Sequence, residues 1–125
     1  MILGLGLDVV ETAELGRTLA KQGERFEQRV FTAAEIAASA GRVDREQALA
    51  ARFAAKEACL KALGTGVSEG LSLQQVEVSS ADGGSPSINL SGAAADRARA
   101  RGVRAIHVSL SHQPGLAAAV VILEG

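Results

Sequence analysis

Three charged side chains could do chemistry in this sequence: Asp8 in "GLGLDVV", and Glu57 and Lys61 in "LAARFAAKEACLKALGTG". Two carboxylates with open positions between them suit Mg²⁺. That ion takes one or two protein carboxylates and fills its other sites with phosphate oxygens and water. A lysine one helical turn beyond Glu57 would add positive charge where a phosphate sits. Each residue also has a plainer reading. Glu57 and Lys61 have the i,i+4 spacing of a surface ion pair. Asp8 comes shortly before a helix start, a region where acids favour caps. Spacing alone leaves both readings open.

Gly64, Thr65 and Gly66 close the same stretch. Gly64 explains helix termination, and the backbone N–H groups of the three could form an anion-binding nest beside Lys61. A helix C-terminus is electronegative, so this is not the phosphate site of a helix N-terminus. His112 follows Ser111 at a strand end, where it could hold a phosphate or simply be exposed. "GLGLD" lacks the third glycine and following helix of a dinucleotide fingerprint. The sequence has no phosphate-loop motif and no Cys/His metal cluster.

The elements that must position these residues can be read from period and punctuation. "ILGLGLDVV" alternates as a strand, with Leu3, Leu5, Leu7 and Val9 on one side. Ile2, Gly4, Gly6 and Asp8 share the other, a face so bare that something can approach it closely. Thr12 is expected to cap a helix running to about Gln22. A short helical turn, "ERFEQRVF", follows. Thr32 and Glu35 fit a capping box for a helix ending near Gly41. Asp44 is expected to cap the longest helix, which Gly64 ends. On its wheel Leu49, Phe53, Leu60 and Leu63 form one stripe, with Glu57 and Lys61 at its flank. Strands are expected at 71–79, 86–90, 103–111 and 116–123, with a hairpin turn at 81–86, a helix at 92–102 and a tight turn at 112–115. This order predicts an α+β fold with a largely antiparallel sheet packed on the long helix.

Composition narrows the classes. A length of 125 residues fits one domain. Hydrophobic residues make up 47% and aromatics 2%, so small aliphatic side chains must fill the core and let elements approach closely. The formal net charge of -1 gives no basic field for nucleic acid. The lone cysteine, Cys59, excludes an internal disulfide and suits a reducing compartment. The longest apolar run, "LAAAVVIL", is a strand length, and no basic-then-apolar leader opens the chain. A soluble, cytoplasmic protein without a membrane segment is expected.

The sequence resembles the holo-acyl-carrier-protein synthases, the small bacterial 4′-phosphopantetheinyl transferases. The resemblance runs through "GLGLDVVE", "RFEQRVFTAAE", "LAARFAAKEACLKALGTG", "GSP", "VSLSH" and "AAAVVILE" in order. It implies transfer of phosphopantetheine from coenzyme A to a serine of an apo acyl carrier protein, releasing adenosine 3′,5′-bisphosphate. It implies Mg²⁺ on Asp8 and Glu57, Lys61 on the phosphates, and Gly64, Thr65 and Gly66 shaping that end of the pocket. Pro86 would lie against the adenine, with Arg52 and His112 near the 3′-phosphate. Glu57, directly or through a metal-bound water, would take the serine proton. A homotrimer with active sites between protomers is expected. One position departs from the family pattern: Glu14 stands where an arginine usually faces the carrier. Arg17, Lys21, Arg25 and Arg29 remain nearby for docking. Two rival readings are another Mg²⁺-dependent phosphate enzyme, such as a hydrolase, and a non-catalytic oligomeric binding module.

Overall fold

The computed structural model describes residues 1–64, 70–80 and 84–125. Strand β1 (Ile2–Glu11) leads into α1 (Thr12–Gln22), α2 (Glu24–Val30), α3 (Ala33–Ser39) and the long α4 (Arg45–Ala62). Then follow a 3-10 turn (Leu73–Gln75), β2 (Val76–Ser80), β3 (Pro86–Leu90), α5 (Gly92–Ala100), β4 (Ala105–Gln113) and β5 (Leu116–Glu124). Strands β1, β5 and β4 form one antiparallel sheet in that order, and β2 and β3 form a separate antiparallel pair. The expected α+β class and antiparallel pairing are therefore present.

Helix α4 lies on the inner face of the three-stranded sheet. Its alanines meet Ala119, Val121 and Leu123 of β5 in one core, with Val76, Val78 and Ile88 of the hairpin alongside. A second cluster joins Leu15, Phe26, Val30 and Phe31 to Leu49 and Ala117. The glycine face of β1 explains how the helix sits so close. A β-carbon on Gly6 would stand 1.8 Å from the Ala58 carbonyl oxygen, and one on Gly4 would stand 2.2 Å from that of Ala62. Both obstacles are helix backbone, so they cannot rotate away. Gly6→Ala is expected to cost about 3 kcal/mol or more, at the upper end for overpacking. A denaturant melt checks this, with a near wild-type midpoint as the contrary result.

Several local expectations change. Thr12 does not cap α1: Glu11 occupies the cap position, and Thr12 is the first helical residue, its hydroxyl buried and without a partner among the described residues. Its N–H is instead taken by the Gly115 carbonyl across the sheet end (3.0 Å). Asp44 stands at the cap of α4, but its carboxylate binds the Arg42 guanidinium at 2.8 and 2.9 Å. A two-point charge-assisted pair outcompetes a single N–H. The strand expected from 71 begins only at Val76, because a buried lysine takes the Leu73 and Val76 carbonyls and holds a turn there. A register shift between Ile2 and Gly4 turns Leu3 toward the core and leaves Ile2 outward. The Thr32–Glu35 capping box is present in both directions. Helices α3 and α5 end slightly earlier than expected, and β4 lies two residues later.

The opposite face of the sheet is uncovered in the single chain. Ile2, Leu5, Leu7 and Val9 are 66%, 64%, 61% and 55% exposed. Register places Leu5 beside Ile122 and Leu7 beside Val120, so the stripe continues across β5. Among the described residues, no helix is long and apolar enough to cross a membrane.

Candidate active site

Asp8 lies on the helix-facing side of β1, beyond Gly6, and Glu57 comes from the middle of α4. The two line one cavity of about 340 Å³, whose apolar wall includes Leu15, Phe26 and Phe53. Phe26 and Phe53 stack at 6.2 Å between centroids and 18° between planes, making that wall flat and stiff. Glu57 is half-buried. Burial pushes its carboxyl above the ordinary range, and the neighbouring Asp8 pushes it further, while Lys61 partly opposes both. A carboxylate pair so placed calls for a cation.

Lys61 corrects the plain surface-pair reading. Its ammonium reaches not Glu57 but Asp8, at 2.8 Å from Oδ1, and also the Leu7 carbonyl at 3.0 Å. Lys61 is about half exposed, whereas the Asp8 side chain is mostly covered. The lysine thus reaches in from solvent and pins the end of β1. Gly64 stops α4 in the left-handed conformation (φ 86°), its N–H donating to the Lys61 carbonyl at 2.9 Å. Thr65 and Gly66 lie outside the described residues. Two arginines finish that helix end: Arg97 donates to the Leu63 carbonyl, and Arg101 to the carbonyls of Ala62 and Leu3.

The structure brings Arg52 and His112 together in a different cavity, of about 240 Å³, shared with Arg42, Asp44 and Ser80. One Arg52 nitrogen donates to the Ala48 carbonyl at 3.2 Å, but its Nε is buried with no partner among the described residues. Such an orphan donor on a cation can donate to an anion's oxygen. Pro86 pairs across the hairpin with Ser80, at the end nearest this cavity. Arg52 and Glu57 are five residues apart on α4, which puts them about 140° apart around its axis. One chain therefore carries the carboxylates and the Arg52–His112 cluster on different sides of the same helix.

Glu14 lines the Asp8–Glu57 cavity. Arg17 and Lys21 lie one and two turns along the exposed side of α1. Arg25 and Arg29 are exposed on α2, with Arg29 bound to Gln22 and set over the Phe26 ring. Sequence reasoning missed the pairing of Lys56 with Glu35. Both are fully buried and paired at 2.6 Å. Lys56 also donates to the carbonyls of Leu73 (3.0 Å) and Val76 (2.6 Å), while Glu35 accepts from the N–H groups of Thr32 and Val78. The available signal was the position of Lys56 amid alanines on the buried helix.

The fold has a clear kinship. The model of the 4′-phosphopantetheinyl transferase superfamily matches residues 4–121, and the chain belongs to that family. It is 53% identical to the holo-[acyl-carrier-protein] synthase of Anaeromyxobacter dehalogenans, covering 100% of this chain and 98% of that protein. It is 45% identical to the holo-[acyl-carrier-protein] synthase of Maridesulfovibrio salexigens, with 99% of each covered. The crystal structure of the Neisseria meningitidis synthase superposes with a TM-score of 0.91 at 30% identity, covering all of both chains. That of the Helicobacter pylori synthase, in complex with coenzyme A, superposes at 0.84 and 28% identity, covering 96% of this chain and 99% of that one.

Proposed function

We propose that this protein transfers the 4′-phosphopantetheine group of coenzyme A to a serine hydroxyl of an apo acyl carrier protein. The observation that carries the reading is the meeting of Asp8 and Glu57 at one cavity, with Lys61 at its rim, in a chain of this family. The serine oxygen forms a bond to the phosphorus that bears pantetheine. The bridging P–O bond breaks, and its electron pair leaves with adenosine 3′,5′-bisphosphate. The serine proton goes to Glu57, directly or through water. Burial and the neighbouring Asp8 raise that carboxyl above its ordinary value, which favours proton acceptance.

Asp8 and Glu57 fit Mg²⁺, for they are two hard oxygen donors whose mutual repulsion is incompletely relieved by one lysine. Bound there, the ion would supply Lewis-acid neutralisation of phosphate charge. Lys61 adds a second positive charge at the pyrophosphate, since phosphoryl transfer depends mostly on positioning and charge neutralisation. Gly64 shapes that end of the pocket. Arg52 and His112 hold the 3′-phosphate of coenzyme A, and Pro86 lies against its adenine. The orphan Arg52 Nε supports the phosphate contact.

We extend the reading to a cytoplasmic homotrimer of one-domain protomers. A trimer covers the apolar stripe of Ile2, Leu5, Leu7 and Val9, and joins the carboxylates of one protomer to the Arg52–His112 cluster of the next. The carrier docks on α1 and α2, across Glu14, Arg17, Lys21, Arg25 and Arg29. Intact-mass spectrometry tests the activity. With coenzyme A, Mg²⁺ and an apo carrier, the carrier is expected to gain one phosphopantetheine. A carrier of unchanged mass beside hydrolysed coenzyme A would instead establish the hydrolase reading. No reaction and no affinity for coenzyme A would leave a binding module.

A further inference from the structure

Lys61 does something in the free protein that its place on the phosphates does not require. Its ammonium is already engaged, 2.8 Å from Asp8 Oδ1 and 3.0 Å from the Leu7 carbonyl. It stands on one of the two carboxylates that would hold the metal. A divalent ion and this ammonium therefore compete for the same oxygen.

We propose that Lys61 is a resident counter-cation that holds Asp8 back from the metal until a phosphate-bearing substrate draws it away. The inference rests on the reading of Asp8 and Glu57 as the metal site. Three observations carry it. Asp8 and Glu57 line one cavity, and Lys61 is the cation in contact with Asp8. The lysine side chain is about half exposed, so its ammonium can leave without disturbing the core. Its second partner is a neutral carbonyl, a weaker hold than a phosphate anion offers. Substrate and ion then assist one another. Drawing Lys61 onto the pyrophosphate frees Asp8 for the ion, and by reciprocity a bound ion releases Lys61 for the pyrophosphate.

The test reads ion binding rather than turnover. Mn²⁺, a stand-in for Mg²⁺ on oxygen ligands, is titrated into the full-length protein with and without coenzyme A, and free ion is followed by electron paramagnetic resonance. Wild type is expected to bind the ion weakly alone and more tightly with coenzyme A. Lys61→Gln is expected to bind the ion alone about 2–5-fold more tightly than wild type, the range a half-exposed ion pair supports. Coenzyme A should add less in that variant. Lys61→Arg, which keeps a cation on Asp8, should resemble wild type. Arg99→Gln removes a cation whose partner is Asp96 rather than Asp8 and should leave ion affinity unchanged, separating contact from general field. If Lys61→Gln binds the ion alone no better than wild type, while coenzyme A still promotes binding in wild type, the competition is overturned and the metal site stands. If no protein binds Mn²⁺ saturably even with coenzyme A, the metal site fails and the competition with it.

Discussion

Asp8→Ala and Glu57→Ala are each expected to lower phosphopantetheine transfer by roughly a thousandfold or more, the rate equivalent of several kcal/mol of lost charge stabilisation. Neither residue is part of the apolar core, so the fold should survive. Glu57→Gln sharpens the test through its pH dependence. Burial and Asp8 raise the Glu57 carboxyl above its ordinary value of 4.5. A carboxyl raised by folding contributes its full stability below the unfolded value and loses it as pH rises through the folded value. At neutral pH in metal-free buffer, Glu57→Gln should therefore melt higher than wild type, and the gain should vanish at acid pH. Higher stability with lost transfer is the signature of a carboxylate kept for function. Thermal melts at two pH values beside the mass assay check it. Undiminished transfer by Glu57→Gln would remove this residue from the chemistry.

The second large effect is expected at a residue remote from substrate. Lys56→Met should destabilise the protein by about 3–5 kcal/mol, the usual cost of leaving one member of a buried ion pair alone. In a chain of this size that is a fall in melting temperature of roughly 10–20 °C. The stem of Lys56 is replaced almost in shape, so the loss is electrostatic. It strands the Glu35 carboxylate and two carbonyls. Combining it with Glu35→Leu should restore only part of the stability, because the N–H groups of Thr32 and Val78 then lose their acceptor. A single Lys56→Met variant that melts within a degree or two of wild type would show that the network contributes little.

These two cases mark what was legible in the sequence. Glu57 was readable because a charge at the flank of an apolar helical stripe demands a partner, and Asp8 because it ended a strand face stripped by Gly4 and Gly6. Both signals are local periodicity. The partner of Lys56 was not readable, since Glu35 had a sufficient local explanation as the third residue of a capping box. In the fold Glu35 does both jobs, one oxygen facing the Thr32 N–H and the other the Val78 N–H. The same blindness affected Lys61, whose nearest acid in sequence is Glu57 and whose partner in space is Asp8. Strand 71–79 failed for a related reason, because its first carbonyls are claimed by a side chain from another element. The outward turn of Ile2 depends on a one-residue register shift that alternation cannot reveal.

The contact of β1 with α4 works as a gauge block. Where side chains separate two elements, the gap between them drifts with every methyl group gained or lost. Here peptide faces peptide at Gly4 and Gly6, and the spacing is set by atoms that no substitution in the helix can alter. Exchanges in the aliphatic filling elsewhere are expected to leave the separation of Asp8 and Glu57 little changed. A change at either glycine is transmitted to that distance directly, although neither glycine has a side chain to offer a substrate. In a saturation-mutagenesis map of transfer activity, positions 4 and 6 should therefore fall among the intolerant columns beside position 8, and a designer searching for catalytic residues would find two that contain no functional group at all.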